Sequence, residues 1–145
     1  MLDSRACRIH RVSLKTPLNF DFEIKGERMT SIERLETGPR MSQAVIHSGV
    51  VYLAGQVAVG APGASVKEQT KDILQRIDTL LKAAGTDKSK ILSATIWLVD
   101  IRNFGEMNSI WDKWVPEGAT PARACVEAKL ATPDYTVEIG VIAAR

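Results

Sequence analysis

Three stretches, residues 50–57, 91–99 and 135–143, read as β-strands that carry apolar side chains on both faces. Strands of that kind belong inside a sheet that is covered on both sides. The sequence offers only two helices to do the covering. The first opens at Ser65, with Glu68 three residues on in a capping-box pattern. Ile73, Leu74, Ile77, Leu80, Leu81 and Ala84 follow on one face, Asp72–Arg76 and Asp78–Lys82 are spaced as i,i+4 pairs on the wet side, and Gly85 is the stop. The second starts near Asn103, again with a capping-box spacing to Glu106, and ends at Pro116. Its stripe of Phe104, Met107, Trp111 and Trp114 reads as core. Two helices cover one face of a five- or six-stranded sheet, so the other face calls for self-association, and a site beside it would be built from two subunits.

The remaining segments complete the order β-β-β-α-β-α-β-β. Residues 30–36 alternate as a first strand, and residues 43–47 join 50–57 through a tight hairpin at Ser48-Gly49. After Gly118-Ala-Thr-Pro121 comes a strand over 122–130, then a turn at 131–134. Period-two alternation puts Arg123, Cys125, Glu127 and Lys129 on one face of that strand. Ala122, Ala124, Val126, Ala128 and Leu130 take the other, which the pattern makes the core face. In the last strand Tyr135, Val137, Ile139 and Val141 oppose Glu138, Gly140 and Ile142. A hairpin closed symmetrically through 131–134 sets Glu127 opposite Glu138 and Cys125 opposite Gly140, with Arg123 and Glu138 on one side of the sheet. Spacing alone leaves two readings open, a working arginine–carboxylate site or a structural ion-pair network.

A chain of 145 residues has room for one domain with a real core. Its net charge of +2 sits in residues 1–28, where six basic side chains face four acidic ones; residues 29–145 balance at 13 basic and 13 acidic. A neutral body gives no electrostatic footprint for nucleic acid. No apolar run approaches the roughly 20 residues that cross a bilayer, and the N-terminus shows no secretory h-region. Cys7 and Cys125 suggest no disulfide framework, so a cytoplasmic setting is expected. Residues 1–28 read as a disordered extension, or as lying upstream of a true start at Met29, with a transit peptide disfavoured by Asp21, Glu23 and Glu27. His10 and His47 form no metal-ligand cluster, and neither a phosphate-binding glycine motif nor a marked Ser/His/Asp set is present.

Pro121-Ala-Arg-Ala-Cys-Val-Glu127, Val137-Glu-Ile139 and Ile142-Ala-Ala together resemble the signature of the reactive-intermediate deaminase (Rid) family, also labelled endoribonuclease L-PSP or YjgF-like. Gly38-Pro39, Ala54-Gly55-Gln56, Trp97-Leu-Val-Asp100 and Met107-Asn108 fall in the same order, so the resemblance spans nearly all of 30–145 and stops short of 1–28. It implies an α+β, chorismate-mutase-like domain over 29–145, assembled as a homotrimer with clefts between subunits. The implied reaction is hydrolysis of 2-imino acids such as 2-iminopropanoate and 2-iminobutanoate to 2-oxo acids and ammonia, without cofactor or metal. Under the resemblance Arg123 anchors the substrate carboxylate and Glu138 activates water, while Cys125 and Asn108 line the pocket. Cys125 also reads as a small half-buried hydrophobe, and Asn108 as a helix-surface amide.

Two positions depart from the family pattern. Arg40 and Met41 follow Gly38-Pro39 where the family commonly has Tyr, and Ala54 stands where it commonly has Ser. Two polar groups are thereby lost, and Arg40 brings a second cation that suits a different or larger anion. Two rival classes stand beside the enzyme: a non-catalytic trimer that binds small carboxylates or partner proteins, and a ribonuclease, which the neutral body disfavours.

Overall fold

The computed structural model describes residues 31–145. The expectations for residues 1–28, with Cys7 and His10, lie outside the described residues. Ser48 and Gly49 both take positive φ, 50° and 77°, the backbone that a two-residue turn between twisted strands requires. That turn joins β2 (Ser42–His47) to β3 (Val50–Leu53), and β1 (Glu33–Thr37) pairs antiparallel with β2 on the other side. The strand expected over 50–57 is broken at Ala54-Gly55, with β4 (Gln56–Val57) beyond the break. Tyr52 is the partner of Ile142 and Gln56 of Ile139, so one extra residue is accommodated there as a bulge.

α1 (Val66–Ala83) follows, then β5 (Ile91–Leu98), α2 (Phe104–Trp114), β6 (Ala122–Glu127) and β7 (Val137–Ala144). The sheet runs β1-β2-β3-β7-β5-β6, with β4 paired to β7. β5, α2 and β6 form a parallel crossover unit, while β7 enters antiparallel between β3 and β5. β7 takes the centre because it is apolar on both faces. β6, with its alternating polar side chains, takes the edge.

Both helices lie on one face of the sheet. Ile46, Val51, Ile96, Leu98, Val137, Ile139 and Val141 pack there against Ile73, Ile77 and Leu81 of α1 and Met107 and Trp111 of α2. Each such large side chain contributes about 1.5–3 kcal/mol by leaving water. The opposite face is bare: Tyr52 is 45% exposed and Val126 46%.

The capping box of α1 forms as its spacing predicts. The Glu68 N–H donates to Ser65 Oγ, and the Ser65 N–H donates to Glu68 Oε2. The i,i+4 ion pairs do not form. Asp72 accepts the Gly60 N–H at 3.2 Å, and Asp78 accepts the Trp114 Nε1–H at 2.9 Å, so both carboxylates tie α1 to its surroundings instead. Asn103 does not cap α2 through its side chain. Its backbone, φ −82° and ψ 4°, already continues a 3-10 turn over Ile101–Asn103, and Asp100 caps that turn at the Arg102 N–H. Among the described residues, no helix is long and apolar enough to cross a membrane.

Candidate functional site

β6 is an edge strand, and Arg123 sits in register with Ala94 of β5 on the helix-covered side. There α2 presents Phe104, Asn108 and Trp111, spaced i, i+4 and i+7 on one stripe. Arg123 Nη1 donates to Asn108 Oδ1 at 2.8 Å. The guanidinium carbon lies 5.1 Å from the Trp111 ring centroid and 5.8 Å from that of Phe104, both within cation–π range. Among the described residues no carboxylate comes within ion-pair distance of it. The side chain is thus held in place by an amide and two rings, its charge is not neutralised, and it keeps free N–H donors at the sheet edge.

Cys125, two residues on, is half-buried and packs against the core. Burial pushes its thiol pKa up, with the Arg123 charge pulling it partly back, so Cys125 is a protonated thiol near neutrality. Glu127 accepts the Ile101 N–H at 3.0 Å and thereby fixes the segment that leads into α2.

Glu138 is on the other face. Its cross-strand neighbours are Val57 and Trp97, both with apolar side chains. Its carboxyl lies directly over Gly55: a Cβ placed on that residue would meet Glu138 Oε1 at 2.0 Å. Gly140, further along β7, lies under the Trp97 ring, but a Cβ there would meet it at 3.5 Å, an ordinary contact. In this half-buried, apolar setting desolvation pushes the Glu138 carboxyl pKa above its ordinary value.

The expected hairpin of the last two strands is therefore overturned. β5 separates β6 from β7, and each β5 residue shows the true rows: Ala94 pairs with both Arg123 and Val141, Ile96 with Cys125 and Ile139, Trp97 with Val126 and Glu138, Leu98 with Glu127 and Val137. Arg123 and Glu138 point to opposite faces, and Glu127 is no neighbour of Glu138. The core-face assignment within β6 is also reversed. Ala122, Ala124 and Val126 line the bare face, while Arg123 and Cys125 turn toward the helices because α2 supplies rings and an amide to receive the guanidinium.

Arg40 is exposed in the loop between β1 and β2, where the Gly38 N–H donates to the Met41 carbonyl. That loop adjoins the Glu138 end of the sheet, since the Ala54 N–H donates to the Gln43 carbonyl and Gln56 Nε2 donates to Gln43 Oε1. Three residues at the site were not legible as such. Phe104 and Trp111 read as core alone, although their spacing around Asn108 already marked a shared stripe. Gly55 stood out only within the Ala54-Gly55-Gln56 match, which says nothing of its place under Glu138. Among the described residues no group of three or more His, Cys, Asp or Glu is placed to hold a metal ion.

The family model for endoribonuclease L-PSP matches residues 31–145, all of the sheet and both helices. This chain belongs to the endoribonuclease L-PSP (Rid/YjgF) family. A RutC family protein from Haemophilus influenzae is 43% identical over 113 residues, covering 78% of this chain and 97% of the relative. The mitochondrial protein mmf1 of Schizosaccharomyces pombe is 33% identical over 142 residues, covering 93% of this chain and 79% of its own. Among solved structures, a YjgF family member from Neisseria meningitidis superposes with a TM-score of 0.78 at 44% identity, covering 81% of this chain and 97% of that one. The mixed α+β architecture, one sheet with two helices, is thus shared with YjgF relatives, and every residue described above lies within the L-PSP match.

Proposed function

We propose that this L-PSP protein hydrolyses 2-imino acids to 2-oxo acids and ammonia, with Arg123 as carboxylate anchor and Glu138 as general base. The observation that carries the reading is Arg123 itself, pre-oriented by Asn108, Phe104 and Trp111 and left without a counter-charge. A 2-imino acid carries a carboxylate next to its electrophilic carbon. A guanidinium fork takes that carboxylate through two parallel charge-assisted hydrogen bonds, each contributing about 1.5–3 kcal/mol once water is excluded. Glu138 then accepts a proton from water as its oxygen adds to the C=N carbon. It passes that proton to nitrogen to give the carbinolamine, then carries the hydroxyl proton to the same nitrogen as the C–N bond breaks, so that a ketone forms and ammonia leaves. Asn108 serves by holding the guanidinium, and Cys125 lines the site as a thiol.

Arg123 and Glu138 face opposite sides of one sheet, so a complete site in this reading takes Arg123 from one copy and Glu138 from another. A homotrimer closes three such contacts and covers the bare sheet face at the same time. The functional unit is residues 29–145.

The test generates 2-iminopropanoate in situ with an amino-acid oxidase and traps it with semicarbazide. The wild-type chain is expected to accelerate loss of the trappable imine, and Arg123→Ala to abolish the effect. Retained carboxylate binding without acceleration would overturn catalysis and establish a binding module. Arg40 and Ala54, standing where the family commonly has Tyr and Ser, remove two hydroxyls and favour that second reading.

A further inference from the structure

A cleft among the described residues has neither Arg123 nor Glu138 in its lining. It has a volume of about 550 Å³ and runs between α1 and α2. Leu74, Ile110 and Trp114 form an apolar floor, and Lys71, Lys88 and Lys113 stand around it. The one acidic side chain in the lining, Asp78, is already engaged, since its Oδ2 accepts the Trp114 indole N–H at 2.9 Å.

None of the three lysines has a carboxylate within ion-pair distance among the described residues. In a body whose charges balance, the cleft thus gathers three of thirteen cations around a single committed anion. The tryptophan wall is preorganised. Asp78 fixes the indole nitrogen, Lys88 Nζ lies 5.3 Å from the ring centroid, and the Trp111 ring packs against it at 5.3 Å and 53°. Little ordering is therefore required of this wall when a ligand arrives. Like charges held around a cleft with an apolar floor are stabilised by an anion whose body is apolar.

We propose that this inter-helix cleft binds a small anionic ligand with an apolar, aromatic-sized body, its carboxylate or phosphate taken by Lys71, Lys88 and Lys113. The size of the cleft favours a small molecule over a docked helix. Its α1 wall runs from Lys71 to Asp78, one rise of about 10 Å, which is less than two full turns of a partner helix and ligand length for a bicyclic acid. The volume also falls within the roughly 300–1,000 Å³ common for small-molecule sites. This site is independent of the imine chemistry.

The probes are 2-naphthoate, 1-naphthyl phosphate and the uncharged 2-naphthamide, titrated into the full chain by calorimetry and tryptophan fluorescence. Parallel titrations of Arg123→Ala remove the sheet-edge guanidinium as a competing anchor, and Arg123→Gln, which keeps more of the side chain, replaces it if the alanine variant fails to fold. Both anions are expected to bind saturably and at least tenfold more tightly than the amide, and whichever binds tighter names the headgroup. Lys71→Gln/Lys113→Gln, at two exposed positions, is expected to weaken both anions at least tenfold, leave the amide unchanged and leave imine turnover at the wild-type rate. Equal affinity for anion and amide, unchanged affinity in the double variant, or capture of an acidic helical peptide with no naphthoate binding would each overturn the proposal.

Discussion

Gly55→Ala isolates the Glu138 carboxyl with a single added methyl. The new Cβ would sit 2.0 Å from Glu138 Oε1, 2.9 Å from Cδ and 3.2 Å from Cγ. Ordinary contact begins near 3.4 Å, so the carboxyl end must retreat by about 1.4 Å or swing to another rotamer. Gly55 has no positive φ, so the backbone accepts alanine without strain. The obstructing group is the far end of a half-exposed side chain, which can move, and the loss of stability should stay near 1 kcal/mol, the low end for overpacking. Turnover should respond far more. A displacement of about 1 Å at a reacting group costs on the order of 100-fold, so imine hydrolysis should fall by about that factor. The assay pairs semicarbazide-trapped imine kinetics with thermal unfolding, where 1 kcal/mol moves the midpoint by roughly 4 °C. A wild-type rate in a folded Gly55→Ala protein would refute the placement of Glu138 in the reaction. A collapse in the unfolding midpoint would refute the account of what the glycine accommodates.

Glu138 has a folded-state pKa raised by burial, so its ionised form, the base, appears only above the usual carboxylate value of 4.5. The acid limb of kcat/KM should therefore lie above pH 4.5 and vanish with the residual activity of Glu138→Gln. For stability the sign is opposite to that of a salt-bridged acid: the Glu138 contribution is greatest below the unfolded pKa and is lost as pH rises through the raised value, which chemical denaturation at several pH values would read. Cys125, whose thiol is raised above 9.0 by burial, should react slowly with iodoacetamide at pH 7 and speed up only in the alkaline range. Ile96→Ala removes a fully buried side chain from the middle of the sheet and should cost about 2–5 kcal/mol in urea unfolding.

α1 was legible from end to end because every local signal agreed: a capping box at Ser65, apolar residues at helical spacing, and Gly85 with φ 79° just past its end. The face assignment of β7 was legible for the same reason, since strict alternation leaves Glu138, Gly140 and Ile142 together. What failed was partner choice. Residues 122–127 and 137–144 are neighbours in sequence and invited a hairpin, yet β6 carries Arg123, Cys125 and Glu127 at alternate positions and is the weaker candidate for burial. A strand apolar on both faces displaces it from the centre, and α2 is long enough to carry the chain from β5 to a parallel neighbour. The face of β6 was misread because Ala122, Ala124 and Val126 are apolar and Arg123 is charged. The decisive partner of the arginine was a ring-and-amide surface on another element, and alternation within one strand contains no information about that.

The corrected topology strengthens the case for a shared site more than the expected hairpin would have done. On one hairpin face, Arg123 and Glu138 would share one side of a single chain, and a site using both would need no second copy. On opposite faces each keeps its own character. Arg123 retains a full charge at an edge with no acid beside it, and Glu138 retains a carboxyl that apolar neighbours push toward the neutral form. In the proposed assembly the edge of one copy meets the bare face of the next, and the anion that joins them is the substrate. Covering that face would desolvate Glu138 further and lift its pKa closer to the working pH of a general base, so assembly and catalytic tuning would arise from the same buried surface. Dilution that separates the copies should then lower turnover per chain and expose Tyr52 and Val126 together, which ties the loss of activity to the loss of the contact.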